Sequence, residues 1–187
     1  MNAMTRLRLM GIAFCIACAA PAPAQRAEAA ANWQNTFRLR LPAYGHRNWV
    51  VVADSAYPLQ SNPGIETILA DASLPAVLRR VLDDLTNAPH VHPIVYTDRE
   101  LQFVPDADAP GISAYRQRLT ADLANLTVNT LPHEEIIHKL DEAARTFNVL
   151  IIKTNTTLPY TSVFLQLDCA YWSPQAEQRL RQAMGAQ

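Results

Sequence analysis

The chain has 187 residues, with 16 basic and 17 acidic side chains, and its formal charge of −1 gives no reason to expect nucleic acid or an anionic membrane surface as a partner. Hydrophobic residues make up 49% and charged residues 18%, the balance of an ordinary folded domain.

The N-terminal segment has the layout of a secretory signal peptide. Arg6 and Arg8 precede an apolar run from Leu9 to Ala20, and Ala22-Pro23-Ala24 offers an A-x-A cleavage site before Gln25. The run is short for a bilayer span. Residues 1–24 are therefore expected to be a leader, and the mature protein to be periplasmic or secreted. A lipoprotein anchor at Cys18 is the alternative, although Cys15-Ile16-Ala17-Cys18 matches such a site poorly. Loss of the leader removes Cys15 and Cys18 and leaves Cys169 alone. The mature chain then has no intramolecular disulfide and rests on its core, or on a core plus subunit contacts. Residues 25–40, Ala-rich at their start, are expected to be a flexible lead-in, and residues 41–187 a single domain.

Trp49 to Ala53 is continuously apolar, the pattern of a strand buried on both faces. Tyr57 to Gly64 carries two prolines and a glycine and reads as a loop. Leu74 to Ala88 is predicted helical. Ser73 stands at its start as a cap, Pro75 suits the first turn, and Leu74, Val77, Leu78, Val81, Leu82 and Leu85 form one apolar stripe. His92 to Tyr96 is the next strand, Leu101 to Val104 a further candidate strand, and Asp106 to Gly111 a loop. Ser113 to Leu126 and Pro132 to Phe147 read as helices with apolar stripes on Tyr115, Leu119, Leu123, Leu126 and on Ile136, Ile137, Leu140, Ala144, Phe147. Val149 to Lys153 and Ser162 to Leu167 are predicted strands joined by a polar loop, and Ser173-Pro174 opens a last helix to about Met184. Strands separated by helices predict an α/β fold: one domain in three layers, its mostly parallel or mixed sheet covered by helices.

Few segments carry chemistry. Pro132 to Lys139, PHEEIIHK, comes near the H-E-x-x-H zinc pattern, but its two histidines are five residues apart, about 140° around a helix, so they cannot share a face. His133 in the first helical turn is of more interest. The positive end of the helix dipole disfavours imidazolium there, and a neutral imidazole can accept or donate a proton. His90 and His92 alternate on one strand, but no third ligand stands at a telling spacing. Asn155-Thr156-Thr157 fits a glycosylation pattern and reads as a polar loop beside a bacterial-looking leader. Glycine-rich phosphate loops and G-x-S-x-G elbows are absent, and Cys169 has the context of a buried structural thiol. No metal or cofactor is expected. His46 and Asp54 remain, eight residues apart and flanking the first strand. Asp54 follows the strand's last apolar residue, and in open α/β sheets ligands favour the carboxyl ends of strands.

Gly45-His46, the apolar strand, Ala53-Asp54 and Pro58 resemble the first signature of the D-ribose pyranase and L-fucose mutarotase family. Further on, His133-Glu134 at a helix start, then Ile151-Ile152-Lys153, a polar loop and Pro159-Tyr160-Thr161-Ser162 before an apolar strand, resemble its later motifs. The similarity runs from Leu41 to Leu167. It implies a cofactor-free enzyme that interconverts cyclic forms of a monosaccharide, working as a homo-oligomeric ring with sugar sites at subunit contacts. His46 matches the family's catalytic histidine, Asp54 its sugar-site aspartate, and His133 and Tyr160 further pocket residues. Ser162 stands where the family commonly has Asn, Lys153 replaces an Arg often found there, and Asn48-Trp49 adds bulk after the histidine.

Ring opening of a hemiacetal needs a base at the anomeric hydroxyl and an acid at the ring oxygen, and histidine titrates in the right range for either task. The expected assignment is His46 as general acid/base, with His133 or Tyr160 serving the opposite proton. Asp54 would orient His46 or bind a hydroxyl. Lys153 and Ser162 would bind further hydroxyls, and Trp49, Tyr57 or Trp172 would cover the apolar face of the sugar. The alternative is a secreted carbohydrate-binding protein of the same fold without turnover.

Overall fold

The computed structural model describes residues 32–185. The expected leader, its cleavage site and Cys18 lie outside the described residues, as does the start of the expected lead-in.

Six strands form one sheet: β1 Trp49–Ala53, β2 Ile65–Leu69, β3 Val91–Asp98, β4 Val128–Leu131, β5 Val149–Lys153 and β6 Val163–Cys169, in the order β2-β5-β1-β6-β3-β4. Every pairing is parallel except those of β6, which runs antiparallel to both neighbours, β1 and β3. The start of β6 therefore lies at the same sheet edge as the carboxyl ends of the other five strands. Among the described residues the helices are α1 Trp33–Arg40, α2 Leu74–Thr86, α3 Ile112–Asp122, α4 His133–Ala143 and α5 Pro174–Gly185.

β1 and β5 each have a strand on both sides and, Lys153 apart, are sealed from water, which is why their apolar runs WVVVA and VLII do not alternate. Even-numbered β1 residues Val50 and Val52 share one core with Phe37 of α1, Leu74 and Leu78 of α2 and Ile112 of α3. Val51 and Ala53 face the other way, into a smaller core with Ile136 and Leu140 of α4 and Phe164 of β6. The expected three layers are present: three helices, the sheet, and α4 alone on the far face. α5 buries none of its residues.

Four local features differ from the sequence expectation. Residues 33–40 are helical rather than a flexible lead-in, because Trp33 and Phe37, four apart, reach the main core from one helix face. Leu101 to Val104 is not a strand: Arg99–Phe103 winds as a 3-10 turn that buries Leu101. β2 and β4 are strands the sequence did not announce. Both lie at the sheet edges and are only partly buried, so neither has the continuous apolar run that marks β1. Ser73 makes no side-chain cap on α2; instead Thr156 reaches across from the β5–β6 loop, its hydroxyl accepting from Leu74 N–H at 2.8 Å. Among the described residues, no helix is long and apolar enough to cross a membrane.

Candidate functional site

The carboxyl edge of the sheet gathers side chains from distant parts of the chain. Asp54 directly follows β1. Its carboxylate accepts from Ala56 N–H at 2.9 Å and from the Ser162 hydroxyl at 2.8 Å, while its own N–H donates to Ser162 Oγ at 3.1 Å. Ser162 immediately precedes β6 and is buried, so its hydroxyl serves Asp54 and fixes the carboxylate. Lys153 ends β5 at the same edge, half-buried.

His133 opens α4 beside β3. Pro132 at the cap position has no side chain able to satisfy the first helical N–H groups, and the Glu100 carboxylate does so from the 3-10 turn, accepting from His133 N–H at 3.1 Å. Its anionic charge also suits the positive end of α4. The imidazole Nδ1 lies 3.1 Å from Asp98 Oδ1, and the ring meets Tyr160 edge-on with centroids 5.7 Å apart.

Tyr160 has φ of 56°, a left-handed conformation that costs a tyrosine about 1 kcal/mol or more. The loop holds it there. Thr161 Oγ1 donates to Leu158 O at 2.8 Å, and buried Tyr115 of α3 donates its hydroxyl to Thr161 O. Tyr160 itself remains 40% exposed.

The aspartate at the end of β3 is the most unusual group here. Asp98 is 1% exposed; its Oδ1 meets His133, and its Oδ2 is buried without a hydrogen-bond partner among the described residues. Burial pushes its carboxyl up to about 6, with His133 pulling in the opposite direction. Nearby, Tyr57 is buried against Phe164, its hydroxyl likewise without a partner, and burial raises its phenol.

His46 is elsewhere. It lies in the exposed turn before β1, where Arg47 N–H donates to Leu167 O and Asn48 N–H to Gly45 O. Asn48 pins this turn: its side chain accepts from Gly45 N–H and donates to Asn148 O. Arg47, the chain neighbour of His46, adopts φ of 73° and lies over the Phe147 ring. Four steps of β1 at about 3.3 Å each separate its ends by roughly 13 Å, and His46 and Asp54 lie beyond opposite ends. A groove of about 480 Å³ is bordered by Arg47, Trp49, Lys139, Arg145, Phe147 and Gln166 among others, and His46 does not line it.

Of the nine residues singled out from sequence, the protomer thus brings Asp54, Tyr57, His133, Lys153, Tyr160 and Ser162 to one edge and leaves His46 and Trp49 at the other, with Trp172 past the end of β6. Trp49 is buried and packs on Tyr96 with ring centroids 5.3 Å apart, and Tyr57 is also buried, so neither ring offers a free face to a ligand within one protomer. Trp172, the third aromatic expected against a sugar, is half-exposed, and its indole N–H donates to Glu177 at 2.8 Å. His90 is structural: its Nε2 lies 3.1 Å from both Leu41 O and Tyr44 O. Cys169 is free and only half-buried. Among the described residues, no group of three or more His, Cys, Asp or Glu side chains is placed to hold a metal ion.

Sequence reasoning missed Asp98, Glu100 and Tyr115. A signal for Asp98 existed. Thr97-Asp98 ends an apolar strand on a carboxylate, as Ala53-Asp54 does, and both strand ends face the same edge. Glu100 and Tyr115 act across 33 and 46 residues, and nothing local marks them.

An imidazole, carboxylates and a phenol thus gather at the carboxyl ends of the strands of an open α/β sheet, the edge at which such folds favour ligand sites. The model of the RbsD / FucU transport protein family matches residues 39–170, more than half of the chain. The chain belongs to this family. Among solved structures it is similar to Bacillus subtilis RbsD complexed with D-ribose, at 20% identity over 71% of this chain and 91% of that one, with a TM-score of 0.49. It is also similar to the fucose mutarotase of Streptococcus pneumoniae in complex with L-fucose, at 22% identity over 70% and 89% of the two chains, with a TM-score of 0.47. FucU from Bifidobacterium longum aligns at 15% identity over 72% and 94%, with a TM-score of 0.49. A search of curated proteins gave no match.

Proposed function

We propose that this protein is a sugar mutarotase or pyranase that opens and recloses the ring of a free monosaccharide. The observation that carries the reading is the convergence of Asp54, His133 and Tyr160, from three separate stretches of the chain, on one edge of the sheet. Family membership and the printed ligands of its relatives, D-ribose and L-fucose, agree with a monosaccharide as substrate.

In the forward step a base takes the proton of the anomeric hydroxyl. The electron pair forms the carbonyl, the bond from the anomeric carbon to the ring oxygen breaks, and an acid protonates that oxygen. Reclosure runs the same transfers backwards on the other face or with another hydroxyl. Protons are conserved, and the reaction calls for no redox partner or electrophilic cofactor. His46 would be the general acid/base, and His133 or Tyr160 would serve the opposite proton. Asp54 would bind a sugar hydroxyl, with Lys153 donating to another. Because His46 lies at the far end of β1 in the same protomer, a second copy would supply it, in an oligomer whose sites lie between subunits. Export through the N-terminal leader would place this activity in the periplasm or outside the cell.

Exchange NMR on D-ribose, L-fucose and D-galactose tests the reading. Anomer or ring-form exchange faster than in buffer is expected for at least one sugar. His46→Ala and His133→Ala are each expected to slow it by about 10²–10⁴-fold. No catalysed exchange with any sugar, or full activity in both variants, would refute it. A binding protein without turnover is favoured by one observation: Ser162, where the family commonly has Asn, is buried and committed to Asp54, which removes a contact to the sugar. Calorimetric sugar binding with no exchange would select that reading.

A further inference from the structure

We propose that Asp98 is the positioning residue of His133: its Oδ1 accepts the Nδ1 proton, so the neutral ring presents Nε2 as its free lone pair. Asp98 was not among the residues the sequence singled out.

The geometry carries the proposal. Asp98 Oδ1 lies 3.1 Å from Nδ1, and the carboxylate is 1% exposed while the His133 side chain is 31% exposed. One ring nitrogen is therefore engaged by a group sealed in the protein, and the ring is open on another side. A carboxylate is an acceptor only, so an ionised Asp98 selects the tautomer with its proton on Nδ1. A second set of contacts limits how the ring can move. Its backbone N–H is tied to Glu100, and its edge rests on Tyr160, which the loop holds in a left-handed conformation. Packing alone does not explain the aspartate. Its Oδ2 is buried with no partner among the described residues, the arrangement expected where a carboxylate is kept for what it does to a neighbour rather than for stability. The charged and titratable groups around the pair are Glu100 and Asp54, which act on Asp98 along with His133, Tyr57 and Tyr115, which each feel both Asp98 and Asp54, and Tyr160 against the His133 ring.

The kinetic part of this inference rests on the mutarotase reading; the spectroscopic part does not. Long-range ¹H–¹⁵N spectra of the imidazoles, with His133 assigned by its loss in His133→Gln, report the tautomer without any sugar. The wild type is expected to show neutral His133 protonated on Nδ1. Asp98→Asn, whose amide can face Nδ1 with either its oxygen or its NH₂, is expected to lose that preference. In exchange NMR the same variant is expected to turn over roughly 10- to 100-fold more slowly, with KM changed by less than about threefold. His133 protonated on Nε2 in the wild type, or an Asp98→Asn protein with unchanged tautomer and unchanged turnover, would overturn the proposal. If the wild type catalyses no exchange, the mutarotase reading fails and the tautomer alone decides this one.

Discussion

At the residue scale, the site is built from carboxylates given opposite treatment. Asp54 has both oxygens in hydrogen bonds, to Ala56 N–H and to Ser162. Asp98 has one oxygen on His133 and the other buried and unmatched. A carboxyl held near 6 in the fold and about 3.8 unfolded is protonated more readily in the native state. Stability from this residue is therefore complete below about pH 4 and is lost as pH rises toward 6. Asp98→Asn removes that loss. The variant is expected to melt higher than the wild type above pH 6, by up to about 3 kcal/mol of stability, with the gap closing below about pH 4. Melting curves at pH 4 and pH 8 check this, and equal gaps at both would show that Asp98 ionises in the fold as it does in water. A variant that is more stable yet slower separates a functional carboxylate from a structural one. His46, Asp54, His133 and Tyr160 could be singled out as candidates because short motifs at fixed spacing surround them. Asp98 was not, because its significance is a distance to a residue 35 positions away.

At the element scale, the legible parts were those whose own sequence states their surroundings. The stripe of α2 and the unbroken apolar runs of β1 and β5 each report burial directly. β2 and β4 were not legible because an edge strand is half-wetted and its existence depends on a neighbour supplied from elsewhere in the chain. The 3-10 turn at Arg99–Phe103 looked like a strand because Leu101 is buried, and a single buried leucine does not distinguish the two. Gly64, just before β2, shows how tightly that edge is set. A Cβ there would lie 2.2 Å from the carbonyl oxygen of Ala144, the residue that closes α4, and Val149 N–H already donates to Gly64 O at 2.8 Å. Gly64→Ala must push backbone apart and is expected to cost about 1–3 kcal/mol. Urea unfolding measures it, and a midpoint equal to the wild type would mean the two backbones do not approach as closely in solution.

At the scale of the whole molecule, topology decides which residues can work together. Five strands end at one edge, and the antiparallel β6 begins there, which unites Asp54, Asp98, Lys153, Ser162 and the start of α4. The same topology sends the turn carrying His46 to the opposite edge, next to Phe147 and Asn148. The sequence motifs contain both halves of the proposed site but no information on the edges they occupy, because that depends on the direction of each strand. One protomer does not bring His46 to the His133 edge, so the proposed chemistry would need the His46 edge of one copy against the His133 edge of another. Subunit complementation tests this most directly. His46→Ala and His133→Ala are unfolded together, refolded as an equal mixture, and assayed by exchange NMR on the best sugar. Each variant alone is expected to keep about 1% of wild-type activity or less, and the mixture to recover about a quarter of wild-type activity, the share of random pairings that join an intact His46 to an intact His133. A mixture no more active than its two components, although each refolds, would contradict a site shared between protomers.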